Sequence, residues 1–469
     1  MILYKKSYIK PRSRNVGLDL LVRNILENPS HNSTVNYSSE RIPMSTQFKA
    51  EVFQNQFLPE GAKEVHAIMT VTVVGGEGVT ATPSGAKLFG VICDTSGSMH
   101  GQKIHAAKSA IAKIVNLLPD DASFFIVTGS TNARLVFPMS KATRENKERA
   151  LTAIRAIDAS GGTVISNWLA EALEQFKKMP NAVRQALLLT DGQNDSSDEK
   201  RLNSVLQMCE GVFQCDCRGV GTDWRVAQLQ KISGKLLGTT DIIPNASMIE
   251  ADFRAILEEA MSKDVSDVAM RLWTPQGARV LFCKQVSPDI VDLTNRAKQV
   301  KPQIYDYPTG AWGKNESRDF HFCIEVNPGN VGDEMLAGRA SLIYTVNGVE
   351  TKVAEARILA TWTDDDAKST KIDKRVAHYT GQAELAQSIQ EGLEARARGD
   401  IEVATAKLGK AVKIAHNSGN EATAKLLRTV VEVEDAPTGT VRLKRGVAKE
   451  DEMALETRST KTTRIPKSS

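Results

Sequence analysis

The sequence predicts an α/β fold, a doubly wound and mostly parallel sheet, joined by a β-sandwich and a C-terminal helical segment. Three observations carry this reading. Between residues 88 and 262, apolar strand-like runs alternate with helical periods, the pattern of a sheet covered on both faces. On either side, short alternating runs separated by Gly, Pro and Asn read as antiparallel strands. From residue 364 the apolar spacing is that of amphipathic helices.

Taken in order, residues 1–43 are polar apart from one helical pattern at 18–26 and are expected to form a poorly ordered extension. Residues 50–57 alternate, and 65–74 is a β-branched run closed by Gly75 and Gly76. Such strands do not enter a doubly wound sheet easily, so 44–84 is assigned to the sandwich. The domain 85–262 has strands at 88–93, 123–128, 134–137, 186–190, 211–220 and 239–243. Its helices fall at 102–118, 143–157, 165–178, 199–209, 224–232 and 247–262. The strand at 134–137 follows its predecessor too closely for a crossover helix, which makes it an antiparallel edge.

Strands at 268–272, 279–284, 318–326, 339–346 and 352–362 fill a sandwich domain, 263–363. Helical patterns at 372–398, 401–416 and 421–432 form a hairpin or bundle over 364–433, packed on that sandwich. The remainder, 434–469, is polar and reads as a disordered tail. Its Thr457, Thr460, Thr462 and Thr463 stand among basic residues, so they are expected to be open to a Ser/Thr kinase.

A chain of 469 residues allows about two to four domains. With 41% hydrophobic and 25% charged residues it has an ordinary globular composition. A net charge of +4 gives no support to a nucleic-acid partner. Cys215 and Cys217, one residue apart, match neither zinc-ligand nor thioredoxin spacing and are expected only to pack, and all six cysteines are expected to be reduced. No export signal and no apolar run near the ~20 residues of a membrane span is visible, so the expected location is cytoplasmic, away from membranes.

The chemistry-bearing residues sit at strand ends. The apolar run 87–93 stops at Asp94, Thr95, Ser96, Gly97 and Ser98 before a helical pattern opens. Ligands of open α/β sheets bind outside the carboxyl ends of the strands. A second segment, Gly161, Gly162 and Thr163, is a glycine-rich loop before a helix. A third, 186–190, is a buried strand ending at Asp191 and Gly192. Asp94, Ser96, Ser98, Thr163 and Asp191 thus offer only hard oxygen donors, which suit Mg²⁺, Mn²⁺ or Ca²⁺. Two carboxylates balance a divalent cation only formally, and with three of the five donors neutral hydroxyls it stays receptive to another anion. The plainer account makes the serines helix caps and Asp191 a turn residue.

With the three segments in this order, each after an apolar strand, the chain resembles the von Willebrand factor A (VWA) domain and its metal-ion-dependent adhesion site. The resemblance covers roughly residues 86–262. It implies the Rossmann-like VWA fold, with Mg²⁺ as the preferred ion and Mn²⁺ or Ca²⁺ as substitutes. It implies direct coordination by Ser96 and Ser98, coordination by Thr163 directly or through water, and contact with Asp94 and Asp191 largely through waters. A sixth position is left for a carboxylate of another protein. The function expected from the resemblance is a metal-dependent protein–protein interaction module, a scaffold or adaptor, whose cation bridges to an Asp or Glu of a partner. Similar bacterial cytoplasmic proteins are linked to AAA-type ATPases or Ser/Thr kinase systems, so a partner of that kind is expected. Because the ligands stand in a loop, their substitution is expected to leave the fold intact.

The alternative is a metal-dependent phosphatase or hydrolase using the same site, with Asp94 or a bound water as nucleophile. Residues weigh against it. Ser96 stands where a haloacid-dehalogenase-like phosphatase needs its second acid, and neither a G-x-S-x-G elbow nor a P-loop occurs. His105 belongs to a helix and is poorly placed as a general base. The chain is therefore not expected to be an enzyme.

Overall fold

The computed structural model describes residues 47–74, 86–346 and 349–465. The extension expected over 1–43 lies outside the described residues. Strands β1 (Gln47–Gln54), β2 (Phe57–Pro59) and β3 (Glu64–Val74) come first. β4 (Lys87–Asp94) then starts an α/β unit that continues through α1 (Gln102–Leu117), β5 (Ser123–Gly129) and β6 (Ala133–Lys141). Next come α2 (Arg144–Arg155), α3 (Ile165–Phe176), β7 (Val183–Thr190) and α4 (Glu199–Cys209). β8 (Gln214–Val220), α5 (Val226–Lys235), β9 (Thr240–Ile243) and α6 (Ile249–Ser262) complete it.

The strands lie in the order β6-β5-β4-β7-β8-β9. All neighbours are parallel except β5 and β6, so β6 is the antiparallel edge that the short connection requires. β4 reads as a continuous apolar run because both its faces are covered. Phe89, Val91 and Cys93 enter one core with Ile111 of α1 and Phe253 of α6. Leu88 and Ile92 enter the other, with Trp168 of α3 and Leu206 of α4. This alternation is the two-residue period of a strand between two helical layers.

β10 (Lys263–Trp273) follows α6 without a break, and the chain turns to antiparallel strands. These are β11 (Arg279–Ser287), β12 (Val291–Asp292), β13 (Lys298–Lys301), β14 (Ile304–Gly313), β15 (Ser317–Glu325), β16 (Glu334–Val346) and β17 (Val349–Thr363). They form sheets of order β1-β3-β15-β11-β12 and β13-β14-β10-β16-β17-β2. The α/β unit is therefore an insertion between β3 and β10 of one sandwich. Trp312, Phe320, Phe322 and Trp362 are fully buried in its core. β14 escapes a reading from sequence because Pro308 and Gly310 interrupt its alternation; the register slips there against β10.

The helices α7 (Asp366–Ser369), α8 (Lys374–Ala397), α9 (Ile401–Asn417) and α10 (Glu421–Val430) come next. Asp373, Asp400 and Asn420 cap α8, α9 and α10 with side-chain oxygens. Val376 and Tyr379 of α8 pack on Ile68 and Val286 of the sandwich.

The reading of 434–469 as a disordered tail is corrected by the structure for the described residues of that stretch, 434–465. Strands β18 (Val431–Asp435) and β19 (Thr440–Leu443) form a hairpin, and α11 (Lys449–Arg458) follows. Met453 and Ala454 complete a core of the α/β unit, while Leu455 enters the helical cluster with Leu385, Leu408 and Leu427. The end of α11 and the chain after it are tied down by Arg458 Nε on Asp241 at 2.9 Å and Arg464 Nε on Asp319 at 3.0 Å. These partners are 217 and 145 residues away, so local composition cannot reveal them. The threonines are not on a free end either. Thr457 is buried with its hydroxyl donating to Met453 O, and the Thr462 hydroxyl donates to Val286 O at 2.7 Å. Leu455→Ala is expected to cost about 2–5 kcal/mol, the range for a large side chain removed from a packed core; denaturant unfolding measures it.

All six cysteines are free and buried, including Cys215 and Cys217, which only pack. Among the described residues, no helix is long and apolar enough to cross a membrane.

Candidate metal centre

The sheet order places a topological switch between β4 and β7: from β4 the chain leads outward through β5 and β6, from β7 through β8 and β9. Asp94 ends β4 and Asp191 directly follows β7. Parallel pairing of the two strands brings the acids side by side.

Thr163 reaches them by a different route from the one expected. Its loop follows helix α2, not a strand. α2 packs Ala150 and Ile154 in one core and α3 packs Ile165 and Trp168 in the other, so the connection must cross the carboxyl edge of the sheet. Backbone bonds hold it there: Ser160 N to Thr95 O at 2.7 Å, Gly97 N to Gly161 O at 2.9 Å, and Asp195 N to Thr163 O at 2.9 Å. Gly161, at φ +87°, makes the turn that allows this approach.

The five expected residues converge. Ser98 Oγ donates to Asp191 Oδ1 at 2.6 Å and lies 3.0 Å from Ser96 Oγ. Asp94 accepts from Ser96 N at 2.7 Å through Oδ1 and from the Thr190 hydroxyl through Oδ2. A Cβ placed on Gly192 would stand 3.3 Å from Thr163 Oγ1, 3.4 Å from Ser98 Oγ and 3.9 Å from Asp94 Oδ2. Donors from all three segments therefore ring one point. Ser96 stands at the N-cap of a short 3-10 turn, Gly97–Met99, but its side chain makes no capping bond, and Gly101 occupies the N-cap of α1.

Placement in a loop does not mean exposure. Asp94 and Asp191 are both 0% exposed and Ser96 is buried, whereas Ser98 is exposed. Burial pushes the Asp94 carboxyl above the usual carboxylate range; hydrogen bonds from Thr190 and Ser96 oppose this, and the charge of Asp191 adds to it. Asp191 carries the Lys103 ammonium, while the buried Asp94 beside it makes no salt bridge among the described residues, which leaves the pair able to take a further cation. The all-oxygen donor set and its spacing fit a hard divalent ion.

Four participants were not singled out from sequence. Thr190 holds Asp94, and Gly192 leaves room among the donors. Gly129 O receives Thr95 N at 2.7 Å and so fixes the loop after β4. Lys103 places its ammonium on Asp191 Oδ2 as the local counter-charge. A cation in the first turn of a helix opposes the helix dipole, which was the available signal for Lys103. Lys103→Met is expected to raise Mg²⁺ affinity about tenfold or more by removing a competing charge. It also lowers stability without metal by about 3–5 kcal/mol, because Asp191 is left buried without its counter-charge. Melting curves with and without Mg²⁺ check both, since the Mg²⁺-induced rise in Tm grows in the variant.

Comparison with known proteins agrees with this architecture. The family model of the von Willebrand factor type A domain matches residues 91–242, and that of the von Willebrand factor type A C-terminal domain matches residues 413–459. A Synechocystis protein of unassigned function is 26% identical over 214 residues, 44% of this chain and 49% of its own length. The human inter-alpha-trypsin inhibitor heavy chain H4 is 30% identical over 168 residues, 34% of this chain and 18% of its own. The chain thus spans half or less of the length of these relatives. The structure of a von Willebrand factor type A protein from Catenulispora acidiphila superposes with a TM-score of 0.85 at 43% identity, covering 90% of this chain and 98% of that one. The ArnB paralog VWA2 of Sulfolobus acidocaldarius shares the fold at a TM-score of 0.56 and 15% identity. With the sheet order, the inserted α/β unit and the C-terminal helices all in place, the chain belongs to the von Willebrand factor type A family.

Proposed function

We propose that this chain is a metal-dependent protein–protein interaction module of scaffold or adaptor type, acting in the bacterial cytoplasm. Asp94, Ser96, Ser98, Thr163 and Asp191 would hold Mg²⁺, with Mn²⁺ or Ca²⁺ as substitutes. The supporting observation is the convergence of three separate segments, two buried carboxylates and three hydroxyls, around one point beside Gly192. The bound ion supplies an anion-seeking coordination position, and Ser98 with its exposed neighbour Gly97 keeps one side of the site open to another protein. The chemistry selects an Asp or Glu side chain of the partner, which belongs in this reading to an AAA-type ATPase or Ser/Thr kinase system.

The hydrolase reading is weaker. Ser96 stands where a second acid would serve a phosphatase, and the nearby His100 and His105 are exposed on the following segment, whereas Asp94 and Asp191 are buried. Retention of the partner from native lysate with Mg²⁺, its loss in EDTA, and no turnover of a phosphomonoester are the expected results. Metal-dependent turnover without a retained partner would replace docking by catalysis.

A further inference from the structure

A second cluster of ligating side chains stands in the sandwich, on strands that contribute no residue to the first site. β3 and β15 pair antiparallel, with His66 directly opposite Cys323. Glu64 is two residues before His66 and therefore on the same face of the sheet. His66 Nε2 lies 3.7 Å from Cys323 Sγ and 3.7 Å from Glu64 Oε2, and the three ligand atoms all fall within 4.8 Å of one another. Tetrahedral coordination with metal–nitrogen bonds of about 2.0 Å and metal–sulfur bonds of about 2.3 Å requires edges of roughly 3.3–3.6 Å, so small side-chain adjustments close the site.

The other ring nitrogen of His66 is also accounted for. Nδ1 lies 3.2 Å from Nε2 of His321, which is buried on β15. Metal at Nε2 puts the proton of His66 on Nδ1, where His321 accepts it. Such a partner fixes the ring and tautomer of a ligating histidine. Glu64 and His66 also line a cavity of about 460 Å³, together with Lys63 and Lys371. The site therefore has an approach from solvent and room for a fourth ligand.

We propose that Glu64, His66 and Cys323 bind a borderline divalent metal ion, zinc in the first place, through one oxygen, one nitrogen and one sulfur. Imidazole and thiolate donors discriminate against Mg²⁺, so this site and the all-oxygen site take different metals. The fourth position is open to water or a small anion. His321 is a positioning residue.

The test is titration of the full chain with Co²⁺ in excess Mg²⁺, followed by competition with Zn²⁺. A thiolate-to-cobalt charge-transfer band in the near ultraviolet, bleached by one equivalent of Zn²⁺, is the expected result. Cys323→Ser removes the band, and Asp94→Asn retains it, which separates this site from the other. His321→Phe keeps the band but weakens zinc binding by about 10–100-fold. Because Cys323 is buried and its variant can fail to fold, Glu64→Gln serves as the exposed check: it keeps the fold and shifts the cobalt d–d bands. No thiolate band in the folded wild type, or a band that survives Cys323→Ser, overturns the proposal. So does a Glu64→Gln spectrum identical to that of the wild type.

Discussion

Asp94→Asn is expected to lower Mg²⁺ affinity about a thousandfold and to end the proposed Mg²⁺-dependent capture of a partner. A carboxylate and a divalent cation some 4 Å apart attract by about 8 kcal/mol at an effective dielectric near 20; the asparagine oxygen and water make up about half of this, and the ~4 kcal/mol left is about three decades of affinity. Asparagine is close to isosteric. Its Oδ1 still accepts from Ser96 N, and the Thr190 hydroxyl can turn to accept from the amide. Stability without metal does not fall, because the change relieves one of two buried carboxylates whose desolvation pushes the Asp94 carboxyl upward. Calorimetric titration with Mg²⁺ reads the affinity and denaturant unfolding reads the fold. Asp94→Ala is the poorer probe, since it leaves Ser96 N and the Thr190 hydroxyl without their buried acceptor.

Trp168→Ala destabilises the protein by about 3–5 kcal/mol through lost burial and the cavity left behind. Trp168 is fully buried in α3, and its Nε1 donates to Ser130 O at 2.7 Å. Its ring also lies against Gly129, where an added Cβ would fall 2.2 Å from ring atoms. Gly129→Ala therefore forces the same contact from the other side and is expected to cost at least about 1–3 kcal/mol by overpacking. Both changes move the segment whose carbonyl holds Thr95 N. Mg²⁺ affinity should fall with stability in each, although neither residue is a candidate ligand. Chemical denaturation paired with Mg²⁺ titration checks this, and loss of stability with unchanged affinity would show that the loop after β4 is fixed by other means.

Much of the α/β unit was legible because its signals are local. The apolar run of β4 stopping at Asp94 announces a buried parallel strand with polar residues beyond its end, and β7 before Asp191 repeats it. The glycines before Thr163 marked a close approach, but not that the chain gets there by crossing the sheet between α2 and α3. That crossing is visible only when the two helices are seen on opposite faces. Lys103 was missed because its carboxylate is 88 residues away, and α11 because its few apolar residues complete cores built by distant elements. Ion pairs from Arg458 and Arg464 then hold a stretch whose composition alone favours solvent. His66 and Cys323 face each other only through β3–β15 pairing, a register that no single strand encodes.

The most direct test is a crystal of the protein soaked in Mn²⁺, with data collected for anomalous scattering. The expected result is a peak bounded by Ser96 Oγ, Ser98 Oγ and Thr163 Oγ1 beside Gly192, with Asp94 and Asp191 around it and one coordination position facing solvent. An ammonium of Lys103 still on Asp191, with no anomalous peak at Mn²⁺ concentrations that support capture, would contradict it.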